Sequence, residues 1–275
     1  MNRAKKFSFQ QQTESIQEEL NKLFLLGMNK IALITGAAKG IGKAIATELA
    51  INGYDIIINY LTSEQEANTL RDQLISNYGI RCLAVRADVS KEQEVEEMFA
   101  IAERELGNVD ILVNNAAIDL SNLFNLKNAD EFRRTLDVNV VGAYNCSKRA
   151  FPSMKENRFG KIINIASTNG INSYYPMCFD YDASKAALIS LTHNLAMQFA
   201  PYVNVNAIAP GFIGTESELE GYDEEFLKEE TDKILKERYG YPREVASLVR
   251  FLISEDADYI NNTVIRIDGG QKGSC

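Results

Sequence analysis

Segment 30–42, with the sequence KIALITGAAKGIG, constrains the fold more than any other part of the chain. It begins with an apolar, largely β-branched run at residues 31–34, which is typical of a buried parallel strand. Gly36 ends this run, and Gly40, Ile41 and Gly42 lead into a segment with helical periodicity. A strand, a glycine turn and a helix in this order bring free backbone N–H groups and the positive end of a helix dipole together. The segment therefore predicts a binding site for a phosphate group, with glycines that let a pyrophosphate approach the backbone.

Beyond residue 30, segments with strand patterns alternate with segments of helical periodicity. This alternation predicts a doubly wound α/β fold, with a parallel sheet of seven strands and helices on both faces. The predicted strands cover residues 31–34, 55–60, 81–87, 110–114, 161–166, 204–208 and 263–267. Continuous helices are predicted at 136–156 and 181–200, an acidic helical insert at 216–237, and a helix at 242–253 that begins with proline. Ser90 and Gln93 have the spacing of a capping box at the start of a further helix.

The domain organisation follows from the same pattern. Residues 29–275 contain no repeat, low-complexity tract or linker, which predicts one domain. Residues 1–28 are predicted to be an N-terminal appendage, partly helical or disordered and without a catalytic role. Ser15 and Glu18 in it have capping-box spacing. Met28 stands immediately before the first strand and offers an alternative start of a shorter product.

Composition excludes several classes of function. The net charge of −9 argues against a nucleic-acid partner, because phosphate binding needs a basic face. No apolar run approaches the roughly 20 residues of a membrane span. The four cysteines are scattered without metal spacing, so we expect no disulfide, no metal site and a cytoplasmic location. His193 is the single histidine, which argues against a Ser-His-Asp hydrolase.

A second group of residues carries the chemistry. Tyr181 and Lys185 are four residues apart in a helical segment, so they share one face. A phenol has a pKa of about 10 and is a poor acid–base catalyst at neutral pH, but a neighbouring ammonium group favours the phenolate. Ser167 follows a buried strand, where the loops of parallel sheets hold ligands. Its hydroxyl can bind a substrate oxygen without titrating.

Taken together, these motifs resemble the short-chain dehydrogenase/reductase family over about residues 30–270, which implies a Rossmann sheet. The resemblance rests on TGAAKGIG at 35–42, Asp88-Val89, NNAA at 114–117, Asn139, Ser167, YDASK at 181–185, PGFIGT at 210–215 and DGG at 268–270. It implies that Tyr181 is the general acid/base, that Ser167 orients the carbonyl and that Asn139 holds a proton-relay water. Lys185 would bind the nicotinamide ribose and lower the pKa of the phenol.

The resemblance also implies a set of cofactor contacts. Asp88 and Val89 would contact adenine, and Asn115 would hold the central strands together beside the cofactor. The full predicted set is Gly36, Lys39, Gly40, Ile41, Gly42, Asn59, Asp88, Val89, Asn115, Ala116, Tyr181, Lys185, Pro210, Gly211, Ile213 and Thr215. Two departures from the family pattern, Ala117 and Asn262 in place of glycines, lie away from the catalytic atoms.

The residues around the second strand predict that NADPH is preferred and that NAD is the less favoured cofactor. An NAD-specific site places a carboxylate at the end of this strand, where it accepts bonds from the ribose hydroxyls. Here the strand ends Asn59-Tyr60-Leu61-Thr62-Ser63, and the next carboxylate is Glu64. Lys39 in the glycine turn is positioned to meet a 2′-phosphate.

The substrate stays open between two groups of the family. Arg158 and the region 216–238 resemble 3-oxoacyl-(acyl-carrier-protein) reductases, whereas the second strand also resembles sugar dehydrogenases. An acidic carrier protein would need a basic docking patch, of which Lys155, Arg158 and Lys161 could supply a part. A catalytically silent dinucleotide-binding sensor or scaffold is a further alternative. Apolar residues on several faces of the helices at 136–156 and 181–200 predict a homotetramer or homodimer.

Overall fold

One parallel sheet positions everything that follows. The computed structural model describes residues 29–172, 174–221 and 223–272, and their seven strands lie in the order β3-β2-β1-β4-β5-β6-β7. The strands are β1 Ile31–Ile34, β2 Asp55–Tyr60, β3 Cys82–Arg86, β4 Ile111–Asn114, β5 Gly160–Ile165, β6 Val203–Pro210 and β7 Val264–Ile267. The order reverses direction between β1 and β4, and this reversal opens a crevice at the carboxyl ends of the strands.

Helices cover both faces of the sheet. They are α1 Gly40–Ile51, α2 Glu64–Tyr78, α3 Glu92–Glu105, α4 Ala129–Leu136, α5 Gly142–Glu156, α6 Phe179–Phe199, α7 Glu216–Gly221, α8 Glu224–Asp232 and α9 Pro242–Ile253. Side chains of α1, α2 and α9 form one apolar core with the sheet, and those of α3, α5 and α6 form the other. Because both faces are buried, β1, β2 and β5 have no solvent-facing alternation. The seven-stranded α/β prediction is confirmed.

Most predicted elements are found within two residues of their positions, and three details are corrected. The predicted helix at 136–156 is interrupted by a π-helical turn, Asp137–Val141, which separates α4 from α5. Ser90 does not cap a helix, because its hydroxyl donates to Asp88 and the N-cap of α3 is Lys91. The insert at 216–237 contains two short helices, α7 and α8, instead of one.

The chain from Ile31 onwards forms one compact unit. The predictions for residues 1–28, including the capping box at Ser15 and the alternative start at Met28, lie outside the described residues. Within the described part of the chain, no helix is both long enough and apolar enough to cross a membrane.

The apolar surface predicted for subunit contacts is partly internal. Leu188, Leu195 and Phe199 of α6 are buried in the core of the chain itself, and Phe199 stacks on Phe151 with 3.9 Å between ring centroids. These apolar side chains are accounted for within the chain, because α6 packs against β5, β6 and α5. Val141, Tyr144 and Met197, by contrast, are exposed. The oligomeric state stays a prediction.

Candidate active site

The glycine turn after β1 is held from two neighbouring strands. Thr35 Oγ1 accepts hydrogen bonds from the backbone N–H groups of Asn115 (2.9 Å) and Ala116 (3.0 Å) at the end of β4. Asn115 Nδ2 donates to the carbonyl oxygens of Thr35 and Gly36. On the other side, Asn59 Oδ1 at the end of β2 accepts from Gly36 N (3.2 Å). Asn59 and Asn115 therefore shape the turn from beneath.

The turn can exist only with glycine at its closest point. A Cβ atom on Gly42 would lie 2.6 Å from both Asn115 Nδ2 and the Gly36 carbonyl oxygen. The turn leads into α1, whose first turn contains no acidic residue and whose N-cap is Lys39. A tight turn, a helix N-terminus and a neighbouring lysine fit the phosphates of a dinucleotide.

Ser167, Tyr181 and Lys185 line one cavity of about 440 Å³ at the carboxyl ends of the strands. Ser167 follows β5 and begins a short 3₁₀ turn, Thr168–Gly170. A Cβ atom on Gly170 would lie 2.6 Å from the backbone carbon of Lys185, so glycine lets this turn press against α6. The fold thus brings the serine loop and the Tyr-x-x-x-Lys helix to the same opening.

Lys185 is buried, with its Nζ donating to the Ile165 carbonyl oxygen at 2.8 Å. Nζ lies 5.3 Å from the centroid of the Tyr181 ring. Burial lowers the pKa of Lys185 to about 8, so its ammonium form still predominates at neutral pH. A positive charge therefore stands beside the phenol ring of Tyr181.

Asn139 lies in the π-helical turn, which is a common feature of functional sites. Its Nδ2 donates to the Ile118 carbonyl (3.0 Å) and to Ser184 Oγ (2.9 Å), and its Oδ1 accepts from Ile118 N (2.8 Å). Both amide donors are used, so the side chain joins the loop after β4 to α6. The proton-relay role of Asn139 stays a prediction.

The cavity gathers some of the predicted cofactor residues and not others. Those that line it with the predicted catalytic residues are Ile41, Asn115, Pro210, Gly211, Ile213 and Thr215. Lys39 lies instead on a neighbouring groove, and its Nζ is 2.7 Å from Glu66 Oε1. The sequence did not reveal this pair, because Glu66 belongs to another helix, α2.

The predicted adenine contacts, Asp88 and Val89, do not line the cavity. Burial alone would raise the pKa of the Asp88 carboxyl, but hydrogen bonds from Ser90 and Arg134 outweigh it and hold the pKa below its usual value. The Val89 carbonyl accepts from Asn145 Nδ2 at 3.0 Å. The adenine contacts stay predictions.

One wall of the cavity contains polar residues that the sequence did not single out. Glu230 of α8 is buried, and its Oε2 accepts from the Tyr175 hydroxyl at 2.6 Å. Gln271 lines the same wall. Residues 269–272 bond to 233–236 through backbone groups, for example Lys272 N to the Lys233 carbonyl at 2.8 Å. The acidic insert and the segment after β7 therefore close the cavity together.

A buried ion pair lies at the start of α6, the helix that carries Tyr181 and Lys185. Lys127 Nζ lies 2.7 Å from Asp180 Oδ2, and both side chains are at most 2% exposed. Thr135 Oγ1 of α4 donates to the same oxygen at 2.6 Å. Burial opposes the charge on Asp180, but hydrogen bonds from Lys127 and Thr135 keep its pKa below the usual value. Asp180 immediately precedes Tyr181, so this ion pair anchors the first turn of α6.

His193, the single histidine of the sequence, does not line the cavity. Its Nδ1 is 2.6 Å from Asn262 Oδ1. Asn262 has a φ of 61°, the left-handed conformation that asparagine tolerates better than most residues. The predicted replacement of a glycine by Asn262 is thus compatible with the backbone.

Comparison with known proteins agrees with this geometry. A family model described as Enoyl-(Acyl carrier protein) reductase matches residues 36–272. The 3-oxoacyl-(acyl-carrier-protein) reductase FabG of Staphylococcus epidermidis is 37% identical over 88% of this chain and 99% of that protein, and the one of Aquifex aeolicus is 36% identical over 88% and 96%.

Two solved structures are similar over nearly their whole length. A putative gluconate dehydrogenase from Agrobacterium tumefaciens has a TM-score of 0.83 and 31% identity, covering 88% of this chain and 96% of that one. The acetoin dehydrogenase YohF from Salmonella typhimurium has a TM-score of 0.78 and 33% identity, covering 89% and 96%. The sheet, the shared cavity of Ser167, Tyr181 and Lys185, and these matches agree: the chain belongs to the short-chain dehydrogenase/reductase family.

Proposed function

We propose that this oxidoreductase transfers hydride between a nicotinamide cofactor and a carbonyl or alcohol substrate, with NADPH preferred. The observation that carries the proposal is the shared cavity. Ser167, Tyr181 and Lys185 line it together with Ile41, Asn115 and Thr215, which lie in or beside the glycine turn. A substrate carbonyl in this cavity lies between the acid–base group and the cofactor site.

The proposed mechanism assigns one task to each side chain. A bound nicotinamide supplies the hydride that reduces the substrate carbon. The Tyr181 hydroxyl gives its proton to the carbonyl oxygen as charge develops there. Ser167 donates a hydrogen bond to the same oxygen and so orients the carbonyl. Lys185, whose Nζ donates to the Ile165 carbonyl oxygen, stabilises the phenolate form of Tyr181 that results from this proton transfer.

The preference for NADPH is supported by the residues after β2. Asn59, near the end of the strand, is engaged with the glycine turn, and no carboxylate follows before Glu64. Such a site lacks the acceptor that binds both ribose hydroxyls in NAD enzymes and repels a 2′-phosphate. Lys39 supplies a positive charge nearby, although Glu66 shares it.

The first substrate class to test is a 3-oxoacyl thioester, because relatives with 35–37% identity carry that name. The three basic residues considered for docking a carrier protein do not lie at the cavity, however. Lys155, Arg158 and Lys161 lie at or before the start of β5. This is the amino end of the strand, whereas the cavity lies at the carboxyl ends of the strands. Lys161 is also buried and paired with Asp258 at 2.5 Å. A docked carrier protein would therefore use another surface.

A second candidate class is a small hydroxylated ketone or polyol. It is favoured by the polar wall of Tyr175, Glu230 and Gln271, which no acyl chain requires. The similar solved structure named for acetoin, a small neutral hydroxyketone, supports the same class. Both classes share the same catalytic step and differ only in what fills the rest of the cavity.

The test is oxidation of NADPH, followed by absorbance, with acetoacetyl thioesters and small ketones as substrates. Tyr181→Phe should reduce kcat by about 100-fold or more, the scale of general acid–base catalysis, while NADPH still binds. Tyr174→Phe is the matched control, because Tyr174 is 73% exposed and does not line the cavity.

Two results would contradict the proposal. If Tyr181→Phe and Tyr174→Phe turned over at similar rates, Tyr181 would not be the acid. If NADPH bound but no carbonyl compound were reduced, the protein would be a silent dinucleotide-binding sensor or scaffold.

A further inference from the structure

The substrate side of the cavity is acidic. Among the described residues that line the cavity, Lys185 is the only lysine or arginine, and it is committed to the Ile165 carbonyl and to the Tyr181 ring. Two carboxylates, Asp119 and Glu230, line the same space. A substrate that carries its own carboxylate would therefore meet negative charge, with no cation positioned to bind it.

Glu230 is the better placed of the two carboxylates. Its side chain is 3% exposed, with Oε2 bonded to Tyr175 and Oε1 bonded to Lys233 Nζ, both at 2.6 Å. Lys233 is half-exposed and does not line the cavity, so its charge lies behind the carboxylate. Each carboxylate oxygen has a second lone pair, which can accept a bond from a substrate donor.

Asp119 adds acceptors at the rim of the cavity. It is exposed, and its carboxylate accepts from Ser121 Oγ (2.8 Å) and from Cys178 Sγ (3.5 Å). Burial raises the pKa of Cys178 to about 11, so the thiol stays neutral and protonated at pH 7. The carboxylate oxygens of Asp119 and Glu230 thus add hydrogen-bond acceptors to the lining of the cavity.

We propose that the site selects carbonyl compounds that carry no negative charge near the reacting carbon and that offer hydroxyl or N–H donors, with Glu230 as the specificity-determining residue. This inference rests on the proposed function and narrows its substrate. Neutral hydroxyketones and the amide-bearing end of a thioester satisfy the rule. Keto acids and sugar acids do not, despite the fold shared with the putative gluconate dehydrogenase.

The experiment compares acetoacetamide with acetoacetate, which have the same heavy-atom skeleton and differ in charge and in N–H donors. We expect kcat/KM to be at least about 50-fold higher for the amide, which corresponds to roughly 2.3 kcal/mol. Glu230→Gln should narrow this ratio at least about 5-fold, mainly by lowering KM for acetoacetate. Glu229→Gln is the matched control, because its side chain is exposed on the same helix and does not line the cavity.

Calorimetric binding of both compounds to the NADP⁺-saturated wild-type protein gives the same comparison without turnover. Tighter binding of the amide supports the inference even if neither compound is reduced, a result that would count against the proposed function alone. Equal affinities, tighter binding of acetoacetate or no binding of the amide would overturn it. An unchanged ratio in Glu230→Gln, with wild-type cofactor binding, would remove Glu230 from its assigned role.

Discussion

The side chain of Lys39 is already paired with a carboxylate. Its Nζ is 2.7 Å from Glu66 Oε1, and the hydrogen bond from Lys39 lowers the pKa of the Glu66 carboxyl. Both side chains are about half-exposed, which limits the strength of the pair. A 2′-phosphate would compete with Glu66 for the same ammonium group. Glu66 therefore weakens the effect that Lys39 alone would have.

We predict opposite effects of the two substitutions on cofactor choice. Lys39→Ala should lower the preference for NADPH over NADH by about 5- to 20-fold, the lower part of the range for a charge-assisted phosphate contact. Glu66→Gln should strengthen binding of adenosine 2′,5′-bisphosphate by roughly 2- to 5-fold and leave 5′-AMP unchanged, as measured by calorimetry.

Glu64→Gln is the control for this pair of substitutions, because Glu64 also lies in the first turn of α2. Equal effects of Glu64→Gln and Glu66→Gln would mean that only overall charge matters. If Lys39→Ala weakened both nucleotides equally, Lys39 would not recognise the 2′-phosphate.

At the scale of helices and strands, the sequence predicts an element well when the element is determined by its own residues. The apolar run of β2 and the proline start of α9 are found as predicted. The π-helical turn around Asn139 was not predicted, and the partners of the Asn139 side chain, Ile118 and Ser184, come from other elements. The apolar pattern of a helix looks the same with or without such a turn.

The residues of the candidate site likewise fall into those that could be predicted from the sequence and those that could not. Spacing predicted that Tyr181 and Lys185 share one face of a helix, and the family resemblance implied that Ser167 joins them, as their common cavity now shows. Tyr175 and Glu230 could not be predicted in this way. They are 55 residues apart and meet only when the insert folds over the cavity.

The ion pair of Lys127 and Asp180 at the start of α6 allows a prediction about the stability of the fold. Lys127→Met should reduce the free energy of unfolding by about 3–5 kcal/mol, because it leaves an uncompensated buried carboxylate. The double variant Lys127→Met with Asp180→Asn should recover a large part of this loss. Chemical denaturation of the four proteins of the cycle measures it.

An additive result in this cycle would mean that the two side chains do not interact energetically. The control Arg133→Met removes an exposed partner of Asp130 on α4 and should change stability by less than about 0.5 kcal/mol.

For the whole molecule, the exposed side chains of Val141, Tyr144 and Met197 suggest contact between copies of the chain. We predict a tetramer or dimer at micromolar concentration by light scattering. Tyr144→Glu combined with Met197→Glu should shift the mass towards the monomer, because both changes place charge in an apolar contact. The control Tyr259→Glu alters a fully exposed tyrosine outside these helices. A monomeric wild-type protein would refute the prediction.

The backbone bonds between residues 233–236 and 269–272 have a consequence for how such a protein diversifies. They tie the cavity wall that carries Glu230 to a segment far from Ser167, Tyr181 and Lys185 along the chain. Mutations in this wall can then change substrate specificity without altering the residues proposed for the chemical step. Chimeras that exchange 216–237 and 269–272 as one cassette should inherit the donor's substrate range and keep the host's chemistry.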